Sequence, residues 1–318
     1  MIAPVTRLST VYSPFADDAF GTGASRTAAE LPETVDPLEM WWRAVALGGA
    51  GHYAAARTEL RRLSAATNDP VLLSLAASTQ GSLLRQLGWH ECAATYDGRA
   101  AALVLPGIST GPGVPERAYP GAAAAATAPA GGYGGRPDRI DAAADALIGL
   151  AADALGVGRT SLATRLLDRC TALIERAVAD PGVRGTRGPE RLRARVRLHW
   201  VRAETALAEG CGRPALVEAE AALALAEQGG SVRHRIKSRL LVAAAASAAG
   251  ELDRAVALAD RIDEECRSTA LVPLRWACAM LRGGLAAAPG DRDMATSDAA
   301  ACRAVISRRG GRFRDVGW

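Results

Sequence analysis

A chain of 318 residues that is 49% apolar is long enough for one large core or an extended array of repeats. Its net charge of +4 is too small to indicate nucleic-acid binding by itself. Aromatic residues make up only 4% of the chain and alanine roughly a fifth, which disfavours a β-sheet protein. Because alanine is the best helix former and lets helix axes approach closely, the composition predicts an all-helical fold.

The segment 1–36 is rich in Thr, Ser, Ala and acidic residues and has no helical periodicity, which predicts a disordered N-terminal segment. Within it, STVYSPFADDAF mixes aromatic and acidic residues. The simpler interpretation of this stretch is a passive tail, and the alternative is a docking peptide. The segment lacks the continuous apolar core of a secretory signal, and no stretch of the chain is long enough to span a membrane, so we expect a cytoplasmic protein.

A pattern of three small residues recurs along the chain. A small residue is followed by glycine seven positions later and by alanine five positions after that. Because amphipathic segments flank each glycine, we expect each glycine to close the turn of a helical hairpin and each alanine to pack between its two helices. The predicted turn glycines are Gly51, Gly88, Gly158, Gly210, Gly250 and Gly290, and the packing alanines are Ala56, Ala93, Ala163, Ala215, Ala255 and Ala295.

Two further matches to the pattern are set aside. Gly23 lies in a region without helical periodicity, and Gly149 lies inside a stronger predicted helix. The remaining glycines are 37, 70, 52, 40 and 40 residues apart, a range typical of helix-hairpin solenoids once two insertions are allowed for. The larger insertion is the Pro-, Gly- and Ala-rich segment 105–138, predicted to be flexible, and the smaller one is 179–190.

The predicted fold is therefore an all-α solenoid of about six antiparallel helix hairpins. Repeats 1 and 2 occupy 37–104, repeats 3 to 6 occupy 139–305, and a basic tail, 306–318, leaves the array.

Over about 38–104 and 138–305 the chain resembles the tetratricopeptide-repeat (TPR) family. In that family a small residue on the first helix packs against an alanine on the second, and glycine closes the turn; Ala243, Ala255 and Gly250 would take these roles. The family's Trp, Tyr and closing Pro positions are mostly absent, and Asp97 stands where a large apolar residue is usual. The Lys/Asn/Arg clamp that holds the C-terminal carboxylate of chaperone peptides is missing from the first three units, so we do not expect a chaperone-tail receptor.

The resemblance implies that the first helix of each hairpin lines a concave binding surface. Counting back about ten and thirteen residues from each turn glycine gives two positions per unit, twelve in all, Asp145 among them. Of these, the candidate binding residues are Trp41, Arg197, Trp200 and Lys237. Arg197 and Lys237 hold equivalent positions in neighbouring units. Together with Trp200 they form a candidate binding site for an acidic peptide or a phosphate. The alternative is that these basic helices are solvated flanks. Because Trp41 and Trp42 are adjacent, we expect one to face the groove and the other the core.

No sequence motif of an enzyme is present. The six cysteines stand singly, and His52 and His90 have at best Cys92 as a third ligand, so we expect neither a metal ion nor a cofactor. The sequence indicates a non-enzymatic protein-interaction scaffold that binds a peptide or helix in its groove. One alternative is a regulator that contacts nucleic acid through the arginine-rich helices of repeats 4 and 5, and another is an enzyme of unrecognised type.

Overall fold

The computed structural model describes residues 13–21, 32–108, 136–179 and 191–314, which contain thirteen α-helices and no strand. Helices α2 to α13 pack as six consecutive hairpins, which we number 1 to 6, so the predicted all-α hairpin solenoid is confirmed. The helices are α1 (Pro14–Phe20), α2 (Pro37–Gly49), α3 (Tyr53–Ala66), α4 (Pro70–Arg85), α5 (His90–Val104), α6 (Arg139–Gly156), α7 (Thr160–Ala179), α8 (Leu192–Ala208), α9 (Gly212–Gln228), α10 (Val232–Ala248), α11 (Leu252–Ser268), α12 (Val272–Leu285) and α13 (Pro289–Arg308).

Hairpins 1 to 5 close through a left-handed glycine. Their turn glycines have φ angles between 74° and 88°, a region that costs residues with a β-carbon conformational energy. In hairpin 5 the amide of Glu251 donates to the Ala246 carbonyl at 2.8 Å, and the amide of Gly250 donates to the Ser247 carbonyl at 3.1 Å. These two bonds satisfy carbonyls that the helix end leaves unpaired.

Hairpin 6 closes differently, and the turn predicted at Gly290 is wrong. Helix α12 ends at Leu285, and Gly290 lies in the first turn of α13. Pro289 occupies the first position of α13, where its fixed φ favours helix initiation, so the helix begins before the glycine.

Small residues fill the contact between the two helices of each hairpin. The packing alanines are buried in all six hairpins, including hairpin 6, where a β-carbon added to Gly283 would lie 3.8 Å from the β-carbon of Ala295. Those of hairpins 1 to 5 are 0% exposed, as are Ala44, Ala151, Ala203 and Ala243 on the first helices. The close approach of the paired helices therefore depends on side chains no larger than a methyl group.

The C-terminal end of the array returns to its beginning. The carbonyl of Arg309 accepts from the amide of Ala54 at 3.0 Å, and the amide of Arg314 donates to the carbonyl of Leu87 at 2.8 Å. Gly310, at φ 83°, allows this approach, because a β-carbon there would overlap Ala54. These bonds join the tail to the turns of hairpins 1 and 2.

Aromatic side chains reinforce this contact. The Nε1 of Trp89 donates to the carbonyl of Arg312 at 2.7 Å, and the rings of Trp276 and Phe313 lie 4.9 Å apart. The prediction that 306–318 leaves the array is therefore wrong for the described part of the tail, since α13 continues to Arg308 and residues 309–314 dock.

Part of the N-terminal segment is also ordered. Residues 14–20, inside the segment predicted to be disordered, form α1, whose Phe15, Ala16, Ala19 and Phe20 are buried. A helix of seven residues is too short to be stable alone, so its helical form depends on the surface against which it packs. The rest of the predicted N-terminal segment falls largely at 1–12 and 22–31, outside the described residues.

Most of the predicted insertions also lie outside the described residues, which omit 109–135 and 180–190. Among the described helices, none combines the length and apolar composition needed to cross a membrane. All six cysteines are unbonded; four are buried, and Cys92 and Cys211 are exposed.

Substitution of a glycine in a left-handed turn and of a glycine within a helix should have different effects on stability. At both Gly250 and Gly290 an added β-carbon meets open space, but only Gly250 has a positive φ, of 88°. We expect Gly250→Ala to lower the free energy of unfolding by about 1–2 kcal/mol. Gly290→Ala should leave it unchanged or raise it by up to about 1 kcal/mol, since alanine is the better helix former. Urea unfolding followed by circular dichroism measures both, and equal losses would contradict the assignment.

Candidate binding site on the concave surface

Helix α1 lies against the first helices of three hairpins. The Phe20 ring is 5.7 Å from the Trp41 ring on α2 and 5.8 Å from the His234 ring on α10. The Arg193 guanidinium on α8 is 5.6 Å from the Phe20 ring centre. Helices from hairpins 1, 4 and 5 thus converge on one phenylalanine, so α1 lies on the face formed by the first helices, which the resemblance predicts to be concave. We call Phe20, Trp41, Arg193, Trp200, Arg233 and His234 the central cluster.

Polar contacts hold the two ends of α1. The Ser13 hydroxyl donates to Glu39 Oε1 at 3.2 Å before the helix, and the amide of Val232 donates to the carbonyl of Gly21 at 3.2 Å after it. These contacts join α1 to hairpins 1 and 5.

The tryptophans of the central cluster are fixed by hydrogen bonds from their indole nitrogens. Trp41 donates to the Thr79 hydroxyl at 2.9 Å, and Trp200 donates to the Ser238 hydroxyl at 2.8 Å. The Trp200 ring also meets the His234 ring edge to face, at 5.1 Å and 72°. Such a geometry satisfies the polar atom of each buried indole and sets the orientation of its ring.

Positive charge exceeds negative charge around the central cluster. Arg193 and Arg197 both pair with the single carboxylate of Asp145. Arg233 donates to the carbonyl of Val45 at 3.0 Å, and no described carboxylate lies within ion-pair distance of it. Burial, followed by repulsion from Arg197 and Arg193, lowers the pKa of Arg233 to about 10, so it is charged at neutral pH.

His234 adds no charge to this balance. Burial, followed by the charge of Arg233, brings the pKa of His234 well below its usual value, so the ring is neutral at pH 7. Arg193 and Arg197 therefore share one carboxylate, and Arg233 lines a small cavity together with Asp18 of α1. The Nη2 of Arg193 is moreover buried and makes no hydrogen bond within the described residues.

The four binding residues predicted from the sequence have distinct surroundings. Trp41 is 1% exposed and contacts α1, while Trp42 is buried as well. Arg197 pairs with Asp145 on α6. Trp200 is 7% exposed and belongs to the central cluster.

Lys237 lies 4.6 Å from the Trp200 ring centre and 3.2 Å from Glu204. Arg197 and Lys237, which the sequence places at equivalent positions, thus engage separate carboxylates. Their capacity to bind a ligand stays a prediction.

Sequence reasoning missed four members of the central cluster as binding residues: Phe20, Arg193, Arg233 and His234. The distribution of phenylalanine in the sequence could have indicated that the flanking segments pack against the array. The chain has only three phenylalanines, and all of them, Phe15, Phe20 and Phe313, lie in flanking segments outside the repeats. Each is buried against the array.

A second buried charge cluster joins hairpins 2 and 3. Arg85 donates to Asp97 at 2.8 Å and to Asp153 at 2.5 Å. A β-carbon at Gly81 or Gly149 would overlap the Asp97 carboxylate. Gly149 lies inside α6 and not in a turn. Its lack of a side chain makes room for the carboxylate of Asp97.

The two aspartates share one cation. Burial raises the pKa of Asp153 to about 7; Arg85 opposes this increase and the neighbouring Asp97 adds to it. Burial also raises the pKa of Asp97. Proton sharing within such a carboxyl pair relieves the repulsion between like charges.

No cluster of three or more His, Cys, Asp or Glu side chains in the described ranges is placed to bind a metal ion. His52 and His90 lie where hairpins 1 and 2 begin their second helices.

No family model and no curated protein matches the chain. The solved structures that align with it include two crystal structures described as "Podosopora anserina putative kinesin light chain nearly identical TPR-like repeats". One of them, a point variant, has 18% identity and a TM-score of 0.41, covering 76% of this chain and 98% of its own. The other has 18% identity and a TM-score of 0.40, with coverages of 77% and 99%. The assignment of an all-α hairpin solenoid rests on the geometry of the hairpins themselves.

The bond between Trp200 and Ser238 can be measured by a double-mutant cycle. Trp200→Phe removes the indole donor and leaves the 0% exposed Ser238 hydroxyl without it. We expect a loss of about 1–3 kcal/mol in the free energy of unfolding. Ser238→Ala in the Trp200→Phe background should cost less than Ser238→Ala alone, because the bond is already absent. Strictly additive losses would contradict the bond.

The buried acid pair predicts a pH dependence of stability. A carboxyl whose pKa rises on folding binds more protons in the folded state, so its contribution to stability falls as the pH rises from about 4 to about 7. Asp153→Asn removes this group. The Tm of the variant, relative to wild type, should therefore increase across that window and level off above it. Asp168→Asn, at an exposed carboxyl on α7, is the control and should show no such slope.

Proposed function

We propose that the protein is an interaction scaffold whose concave surface binds a short helix or peptide of a protein partner where α1 lies. The observation that carries this proposal is that Phe20 of α1 occupies a pocket formed by three separate hairpins. A short helix in an apolar groove is a recurring mode of peptide recognition. Buried aromatic and arginine side chains are the groups that most often dominate the energy of such interfaces.

We assign the protein no catalytic role and place it in the cytoplasm, where unpaired cysteines are typical. The nucleic-acid alternative is less favoured, because many of its basic side chains are already engaged by acids. Arg193 and Arg197 share Asp145, Lys237 pairs with Glu204, and Arg239 pairs with Glu265. A phosphate backbone would have to compete with these carboxylates.

The test begins with capture of partners from native lysate, with and without nuclease, followed by mass spectrometry. The partner found is then purified and titrated against the wild type and two charge-reversal variants. Lys237→Glu changes a partly buried cation beside Trp200. Arg254→Glu is the matched control, since Arg254 also pairs with glutamates but lies on α11, a second helix.

We expect Lys237→Glu to weaken binding of the purified partner about tenfold, because it places like charge against an acidic ligand and Glu204. Arg254→Glu should bind like wild type. Equal affinity for all three proteins would exclude the concave surface near Trp200. Partners that disappear with nuclease would favour the nucleic-acid alternative.

A further inference from the structure

We infer that α1 is an exchangeable, built-in ligand, and that the partner binds by replacing it with a helix of the same chemistry. This inference rests on the proposed function and goes further, because it names both the occupant to be displaced and the character of the segment that displaces it. That segment carries two phenylalanine-like rings five positions apart, small residues between them on the same face, and acidic residues that flank this face.

The sequence of α1 supplies this template. Phe15, Ala16, Ala19 and Phe20 form one buried face of the helix, and the partly buried Asp17 and Asp18 flank this face. At 100° per residue the four buried positions span about 140°, which matches the apolar stripe of an amphipathic helix. The alanines allow α1 to approach α2, its main neighbour, closely.

The walls of the pocket are held by contacts that do not involve α1. Trp41 is bonded to Thr79, and Trp200 is bonded to Ser238. The two arginines that face Phe20 are anchored as well, Arg193 by Asp145 and Arg233 by the carbonyl of Val45. None of these contacts is made by α1, so none of them depends on which helix occupies the pocket.

The contacts that the Phe20 ring of α1 makes can be supplied by another helix. It has seven residues, and its N-cap Ser13 makes no side-chain capping bond to the helix. Its specific contribution is the Phe20 ring, which lies 5.6 Å from the Arg193 guanidinium and 6.0 Å from that of Arg233. Any helix that presents an aromatic ring at this point can make the same cation–π contacts.

The charge around the pocket favours an acidic partner segment over a neutral one. Arg193 and Arg197 share the single carboxylate of Asp145, and Arg233 has no described carboxylate within ion-pair distance. The buried Nη2 of Arg193 has an unused donor within the described residues. A partner carboxylate beside the aromatic anchor can accept this donor and offset the excess charge.

The exchange can be measured with the full-length chain and a peptide. The probe is a fluorescein-labelled peptide of residues 12–21, YSPFADDAFG. Its affinity is measured by fluorescence anisotropy for the wild type and for Phe15→Ala/Phe20→Ala, in which α1 keeps its tether and loses both anchors. We expect the double variant to bind the peptide at least about tenfold more tightly, because tethered α1 competes at high effective concentration in the wild type.

Two controls accompany this measurement. Val217→Ala/Val256→Ala removes two exposed apolar side chains on α9 and α11 and should bind the probe like wild type. A peptide with both phenylalanines replaced by alanine should not bind either protein. Circular dichroism verifies that the Phe15→Ala/Phe20→Ala protein keeps the helical array.

The site is located by a photo-crosslinking amino acid at the Phe20 position of the peptide. Crosslinks to the segments that contain Trp41 or His234 support the inference. Crosslinks elsewhere, or equal or undetectable binding to the folded double variant, overturn it. If the peptide fails while a partner still binds in a Lys237-dependent manner, the exchange is wrong and the proposed scaffold function stands.

Discussion

Contact between the two ends of the array determines how its interior is arranged. In an ordinary solenoid each repeat touches only its neighbours, so the ends are independent. Here backbone bonds join Arg309 to Ala54 and Arg314 to Leu87, across more than two hundred residues of sequence. A third link, from Arg233 to the Val45 carbonyl, lies near the C-terminal end of α2, where the helix dipole favours a cation. Closure brings the first helices of hairpins 1, 4 and 5 around one pocket.

Burial of arginine is the second feature that shapes the interior. From the sequence, the basic helices are either a binding groove or solvated flanks, whereas in the structure most of these cations are partly buried and paired. Breaking such a pair by removal of one partner is costly, because the remaining charge stays desolvated. Arg193, Arg197 and Asp145 are therefore poor choices for probing ligand binding, since their substitution would disturb the fold first. Lys237, whose side chain is 33% exposed, separates the two effects better.

The local features of the fold could be predicted from the sequence, and the long-range ones could not. A left-handed turn favours glycine, and a close contact between helices requires a small side chain. The residue types at positions 250 and 255 are therefore enough to predict the turn at Gly250 and the packing contact at Ala255. The error at Gly290 arose because Pro289 starts the helix one residue earlier. Closure has no local signal, since it is the sum of small rotations over six hairpins. The same limit applies to α1, whose seven residues have too little intrinsic stability to be helical alone, so composition predicts disorder.

Closure and occupancy of the pocket are thermodynamically linked. Phe20 touches Trp41 on hairpin 1 and His234 on hairpin 5 at the same time, so its contacts are complete only when the ends of the array are together. A ligand that binds one conformation better than another shifts the population toward it. A helix bound in the pocket therefore stabilises the closed array. By reciprocity, docking of the C-terminal tail raises the affinity of the pocket for that helix. The N- and C-terminal flanking segments, which are far apart in the sequence, thus stabilise each other through the six hairpins between them.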